Sequence, residues 1–200
     1  MVTYIYLAVI WLMFIVDYLV LPPKGVKRWG FRYLVLGKEG GTELINKQAT
    51  PFNQALCLTT SKIKKGQLWR LVSSALLHGG LCHITANSLA LWFAGRFVEQ
   101  QLGPWKYLLT LLVGAVMANL WGMRVFSNEF GFGASTAIYG MIGILAAMFL
   151  LNPQLMLAFS WPARIYMLLY LLSNALPDKW SLVEHGGAFI AGLGLAFVLL

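Results

Sequence analysis

The chain has 200 residues, of which 59% are hydrophobic and 11% are charged, and it carries a formal net charge of +8. Its mean hydropathy of +0.71 excludes an ordinary soluble globular domain and indicates an integral membrane protein. One helical crossing of a bilayer needs about 20 apolar residues, so the chain is long enough for several crossings.

Six apolar segments are separated by Pro, Gly or charged residues. They run from Tyr4 to Leu21, from Leu68 to about Gly95, from Trp105 to Met123, from Gly133 to Leu151, from about Ala163 to Leu176, and from Leu182 to Leu200. No internal repeat or low-complexity tract is evident in the sequence. We therefore predict an all-α fold, with residues 1–200 forming one polytopic membrane bundle of six transmembrane helices and a large basic loop at about 22–67.

The loop between the first two segments is basic, because residues 24–70 contain ten of the fifteen Lys and Arg residues. A nucleic-acid-binding module would place aromatic residues in order among the basic ones, whereas here they are scattered, so we expect no nucleic acid partner. Contact with the anionic headgroups of membrane lipids is the favoured interpretation. By the positive-inside rule the same charges would place this loop in the cytoplasm.

The cysteines and histidines do not predict a metal site. Cys57 lies in the loop and Cys82 in the second segment, so a disulfide between them would require the loop to fold deep into the bundle. The three histidines lack an H-E-x-x-H arrangement and a set of cysteine partners. We expect two ordinary thiols, and neither a metal nor a cofactor.

Polar residues in the second segment are informative because such side chains are costly inside a membrane. His83 and Asn87 are four residues apart, so they share one helical face and could donate hydrogen bonds to one point. The alternative is that they bond to a neighbouring helix and only fix the packing. His78 lies about 140° around the same helix from His83, so we expect it to anchor the preceding loop rather than to join the same cluster.

The fourth segment places a serine at the start of a helix. Ser135 follows Gly133 and Ala134, where the first backbone N–H groups of a helix have no intrahelical acceptor. Tyr139 lies one turn further along the same face. A serine in a membrane helix is commonly only a small packing residue, so this pattern alone is weak support for catalysis.

The sixth segment carries a histidine above a stripe of small residues. His185 is followed on one helical face by Ala188, Gly192 and Ala196, which allow another helix to approach closely. A histidine at the top of such a stripe could meet a serine at the top of another helix, as a Ser–His pair requires. The alternative is a histidine that bonds to a backbone carbonyl in the interface.

Together these residues resemble the rhomboid family of intramembrane serine proteases, and the resemblance covers nearly the whole chain. The matching motifs are W-R at Trp69 and Arg70, H-x4-H-x3-N at His78, His83 and Asn87, V-E-x-x-L-G from Val98 to Gly103, G-x-S at Gly133 to Ser135 with an aromatic residue at Tyr139, and H-x6-G at His185 and Gly192. One departure is Thr136, which stands where a glycine is frequent and would narrow the approach of a substrate.

The resemblance implies a rhomboid-like bundle in which Ser135 and His185 form a catalytic dyad without a third acidic member. His185 would take the hydroxyl proton and return it to the leaving amine. His83, Asn87 and the backbone N–H of Ser135 would stabilise the oxyanion, and Tyr139 would hold the His185 ring by stacking.

The resemblance also implies transmembrane protein substrates, which would enter laterally past the second and fifth helices. It implies a multi-pass protein of the bacterial cytoplasmic (inner) membrane, with the basic loop outside the cytoplasm, in conflict with the positive-inside rule. The sequence leaves the oligomeric state undetermined.

Two other functions are weighed against a protease. A non-catalytic rhomboid-like protein would bind membrane helices, but such relatives typically lack the serine or the histidine, and this chain has both. A small transporter would favour repeated halves or broken helices in matching positions, and neither is evident in the sequence.

Overall fold

The computed structural model of the chain describes residues 1–17, 50–125, 131–175 and 179–200. The described residues form helices joined by short connections, without a strand among them, and an isolated antiparallel bridge joins Leu58 to Gly131. The all-α prediction is therefore confirmed for the described residues. Much of the predicted basic loop at about 22–67 lies outside them.

The helices are numbered here in chain order. They are α1 (Val2–Ile15), α2 (Pro51–Leu56), α3 (Thr60–Ile63), α4 (Arg70–Ser73), α5 (Leu81–Ala90), α6 (Arg96–Leu102), α7 (Pro104–Val125), α8 (Ser135–Leu151), α9 (Gln154–Ala158), α10 (Trp161–Ala175) and α11 (Lys179–Leu199). A 3-10 turn (Ser74–Leu76) follows α4, and a π-helical segment (Leu91–Gly95) joins α5 to α6.

The second predicted segment begins later than expected. The prediction started its helix at Leu68, whereas α5 begins at Leu81, after the short α4, the 3-10 turn and a bend. The reason is the pair Gly79 and Gly80, since glycine disfavours a helix and the Gly80 backbone is extended with a φ of −174°. This difference changes the position of His78, which precedes the helix.

Among the described residues, two helices are long and apolar enough to cross a membrane by length and composition, namely α7 and residues 181–199 of α11. Helices α1 and α8 are apolar but shorter. The bounds of α7, α8, α10 and α11 agree with the predicted segments to within a few residues. Six membrane crossings remain a prediction.

Helices α7, α8 and α11 pack against one another, and glycines of α8 allow its backbone to touch those of both neighbours. A Cβ atom on Gly114 of α7 would lie 2.9 Å from the Cα atom of Gly140 of α8. A Cβ atom on Gly192 of α11 would overlap the carbonyl oxygen of Gly140. This small-residue contact is typical of helices that pack in membranes, and it brings the start of α8 close to α11.

Many large apolar side chains lie on the outer surface of the bundle. Leu150 is 78% exposed, Leu157 79% and Phe197 94%. Large apolar side chains with this exposure suit contact with hydrocarbon rather than with water.

The end of α6 is tied to the start of α1. The carboxylate of Glu99 accepts hydrogen bonds from the backbone N–H of Val2 at 2.6 Å and of Thr3 at 3.0 Å, and from the Thr3 hydroxyl at 2.8 Å. A carboxylate at a helix N-terminus satisfies N–H groups that have no intrahelical acceptor. Glu99 therefore fixes the start of α1 beside α6.

Candidate active site

A serine and a histidine from different helices are in hydrogen-bond contact. Ser135 is the first residue of α8, and its Oγ atom lies 2.9 Å from Nε2 of His185 in α11. Both residues are buried, with exposed fractions of 8% and 6%. An imidazole at this distance can accept the proton of the hydroxyl, which is the arrangement that activates a serine nucleophile.

An aromatic ring is stacked on this histidine. The rings of Tyr139 and His185 are stacked, with centroids 4.2 Å apart and planes 4° from parallel. Tyr139 lies one helical turn after Ser135, so one face of α8 supplies both the hydroxyl and the ring. The stacking expected from the resemblance is therefore present as a contact.

The loop that precedes the serine is held against His83. Gly133 has a φ of +140° and donates its N–H to the carbonyl of Ser74 at 3.0 Å. A Cβ atom on Gly133 would lie 2.9 Å from Nε2 of His83 and 3.4 Å from Oγ of Ser135. The backbone conformation and the space both require glycine here, and the absent side chain lets the His83 ring approach the loop that leads to Ser135.

Asn87 belongs to a buried polar cluster that reaches a third helix. Its Nδ2 atom lies 3.0 Å from Nε2 of His78, and its Oδ1 atom accepts a hydrogen bond of 2.8 Å from the hydroxyl of Tyr170 in α10. Because an amide nitrogen only donates, His78 accepts through Nε2. Because this bond uses one of the two N–H groups of the Asn87 amide, the other can donate a second hydrogen bond.

The expectation for His78 is wrong in one respect. Its ring meets the ring of His83 edge-on with centroids 5.1 Å apart, so it joins the cluster of His83 and Asn87. The helical angle used in the prediction does not apply, because α5 begins only at Leu81. The bend before α5 brings His78 back against the helix.

Trp69 and Arg70 stabilise the segment before α5 and do not touch the serine. The buried Arg70 guanidinium donates to the carbonyls of Cys57 and Gln54 and to the side chain of Gln67, each at 2.8 Å. Trp69 is 54% exposed, and its indole N–H lies 3.4 Å from the carbonyl of Ala55.

Replacing Arg70 with alanine is expected to lower the free energy of unfolding by about 1–3 kcal/mol, because the backbone acceptors that it binds lose their donor. Thermal unfolding in detergent measures this change. The matched control is Lys65→Ala, which removes an exposed cation from the same segment and is expected to leave the melting temperature unchanged. Equal melting temperatures for the two variants would contradict the role of Arg70.

Sequence reasoning missed three residues that support the site. Tyr170 holds Asn87, and the Asn119 amide in α7 donates to the carbonyl of Leu71 at 2.8 Å and to the Ser74 hydroxyl at 2.9 Å. Ser74 in turn accepts from Gly133. The signal that could have found Asn119 is a polar side chain inside an apolar segment.

Two neighbours of the pair face other partners. Glu184 is directed at α7, since a Cβ atom on Gly122 would lie 2.6 Å from its Oε1 atom. The hydroxyl of Thr136 donates to the carbonyl of Gly133 at 3.2 Å. The Thr136 hydroxyl thus binds the loop that leads to Ser135.

The chain is similar in sequence to known proteins. A family model described as "Rhomboid domain" matches residues 65–200. The chain is 37% identical over 97 residues to rhomboid protease GluP of Bacillus subtilis (strain 168), which covers 48% of the chain and 19% of that protein. It is 32% identical over 111 residues to rhomboid protease GlpG of Yersinia pestis (strain Pestoides F), which covers 56% of the chain and 37% of that protein. The chain thus spans well under half the length of these curated relatives.

Proposed function

The chain belongs to the rhomboid family, and on that premise we propose that it is an intramembrane serine endopeptidase that cleaves transmembrane segments of membrane proteins. The single observation that carries this proposal is the 2.9 Å separation between Oγ of Ser135 and Nε2 of His185. The relatives that are named rhomboid proteases give it further support.

The proposed reaction proceeds through an acyl-enzyme. His185 takes the proton of the Ser135 hydroxyl as Oγ bonds to the carbonyl carbon of the substrate. Collapse of the tetrahedral intermediate breaks the C–N bond, and His185 returns the proton to the leaving amine. Water then cleaves the ester in a second round of the same proton transfers, which releases the acid and restores Ser135.

We propose that His83, Asn87 and the backbone N–H of Ser135 stabilise the oxyanion. The close approach of Gly133 to both the His83 ring and the Ser135 hydroxyl supports the position of His83. The Ser135 N–H lies in the first turn of α8, where it has no intrahelical acceptor. Losing one such donor typically costs about 2.7–4 kcal/mol of transition-state stabilisation.

The substrates that fit this proposal are transmembrane proteins. They would unwind near the site after entering past α5 and α10, the second and fifth predicted spans. Since hydrolysis needs water, the polar cluster around Ser135 would face a hydrated cavity that opens on the side of the basic loop. We place the protein in the bacterial cytoplasmic (inner) membrane, with that side outside the cytoplasm.

Labelling with a fluorophosphonate probe tests the proposal. The purified wild-type protein in detergent is expected to label, whereas Ser135→Ala and His185→Ala are expected not to label. The control is Ser88→Ala, which removes a hydroxyl that accepts from Trp11 and should label like the wild type. A folded wild type that never labels would contradict the proposal and favour a non-catalytic protein that binds membrane helices.

The stacked ring gives a second prediction. Tyr139→Leu is expected to lower the labelling rate of Ser135 up to about tenfold, because an aromatic pair contributes about 0.5–1.5 kcal/mol. Tyr139→Phe keeps the ring and is expected to label within a small factor of the wild type. The initial rate of labelling in each variant measures the difference, and equal rates in the two variants would exclude an orienting role for the ring.

A further inference from the structure

A polar cleft lies away from Ser135, at the α6 end of the continuous segment that α5, the π-helical turn and α6 form. It has a volume of about 340 Å³ and lies between α6 and the connection that leads into α10. Arg96 and Gln100 line one wall, and Phe159 and Ser160 line the opposite wall. None of these residues takes part in the Ser135 and His185 arrangement.

The guanidinium of Arg96 is fixed by aromatic rings. Its Cζ atom lies 4.6 Å from the ring centroid of Trp92 and 5.7 Å from that of Tyr4, and these two rings meet edge-on at 5.8 Å. A cation is attracted to the face of an aromatic ring, so these two rings hold the guanidinium in place. Among the described residues, no hydrogen bond or ion pair reaches this guanidinium, so its N–H groups remain available to a ligand in the cleft.

The cleft lies at the level where helices enter and leave the bundle. One wall is formed by α6, which ends just before α7 begins. The other wall includes the connection between α9 and α10. Backbone that connects spans lies at the membrane surface. Trp105 and Trp161, exposed by 80% and 68%, begin the neighbouring helices α7 and α10, as is typical of residues at the headgroup layer.

We propose that this cleft binds the phosphate headgroup of an anionic glycerophospholipid, with Arg96 as its charged ligand. A guanidinium forms paired hydrogen bonds with phosphate oxygens. Gln100 on the same wall as Arg96 and Ser160 on the opposite wall add polar groups, and the acyl chains lie along the exposed apolar surface next to the cleft. Basic pockets between helices at a membrane surface bind such headgroups.

Native mass spectrometry of the detergent-purified protein with added phosphatidylglycerol tests this binding. Arg96→Gln is expected to lower the retention of the most tightly held lipid roughly fivefold, the effect of one cation near a membrane surface. The matched control is Arg124→Gln, which removes an exposed arginine from the last turn of α7 and should retain that lipid. Equal retention by the two variants would overturn the proposal.

Three further comparisons test whether the cleft selects an anionic lipid. On the wild type, phosphatidylcholine is expected to be retained less than phosphatidylglycerol, and millimolar inorganic phosphate is expected not to displace the lipid. Equal retention of phosphatidylcholine, or displacement by free phosphate, would overturn an anionic lipid site. Arg96→Lys, which keeps the charge, is expected to retain more lipid than Arg96→Gln at an unchanged melting temperature.

Discussion

Replacement of Ser135 or His185 with alanine is expected to lower the cleavage rate of a transmembrane substrate by about 10⁴-fold or more. The reason is the 2.9 Å contact between Oγ and Nε2, because the proposed reaction needs both groups. Without the imidazole the hydroxyl keeps its proton, and without the hydroxyl the imidazole has no nucleophile to activate. Turnover of a single-span substrate reconstituted in liposomes measures the loss.

The double variant makes this prediction sharper. Groups that act as a unit give losses that do not add, so Ser135→Ala with His185→Ala is expected to be no slower than either single variant. Ser88→Ala, whose hydroxyl binds Trp11, should cleave at the wild-type rate. If the two losses of rate multiplied in the double variant, the two side chains would act independently, and the proposed dyad would be wrong.

A single methyl group on Gly192 is expected to destabilise the bundle and to slow the reaction together. In Gly192→Ala the new Cβ atom would overlap the carbonyl oxygen of Gly140, so α8 and α11 must move apart. Overpacking of this kind costs about 1–3 kcal/mol. Because His185 lies two turns earlier in α11, the same movement lengthens its contact with Ser135.

The matched control for this substitution is Gly194→Ala in the same helix. A Cβ atom on Gly194 meets nothing within 4 Å, and alanine favours a helix by up to about 1 kcal/mol over glycine. We therefore expect a lower melting temperature and slower probe labelling for Gly192→Ala, and neither for Gly194→Ala. Equal behaviour of the two variants would show that the contact of Gly192 with Gly140 does not position the histidine.

The prediction from sequence succeeded where a property belongs to one helix. Apolar length located α7, α8, α10 and α11 to within a few residues, and the motif around Gly133 lies at the start of α8 as expected. It failed at the start of the second segment, where two glycines form a bend that delays the start of α5 and leaves His78 outside the helix. Helical spacing predicts the angle between two side chains only when both residues lie in the same helix.

The polar cluster around Asn87 depends on contacts that the sequence does not predict. The spacing of His83 and Asn87 indicates a shared helical face, but it does not tell which side chain from another helix meets it. Tyr170 in α10 and His78 before α5 complete the hydrogen bonds of Asn87. Their pairing depends on the order of the helices in space, for which no residue pattern in one chain is sufficient.

The sequence by itself determined the helical class, the family motifs and the identity of the serine and the histidine, because composition and local spacing carry those properties. Only the tertiary structure decided that Ser135 and His185 touch, that Tyr139 stacks on the imidazole, and that Arg70 holds the segment before α5. The physical reason is that each contact joins elements distant in the chain. Their distances are set by the close packing of α8 against α7 and α11, which glycine backbones permit.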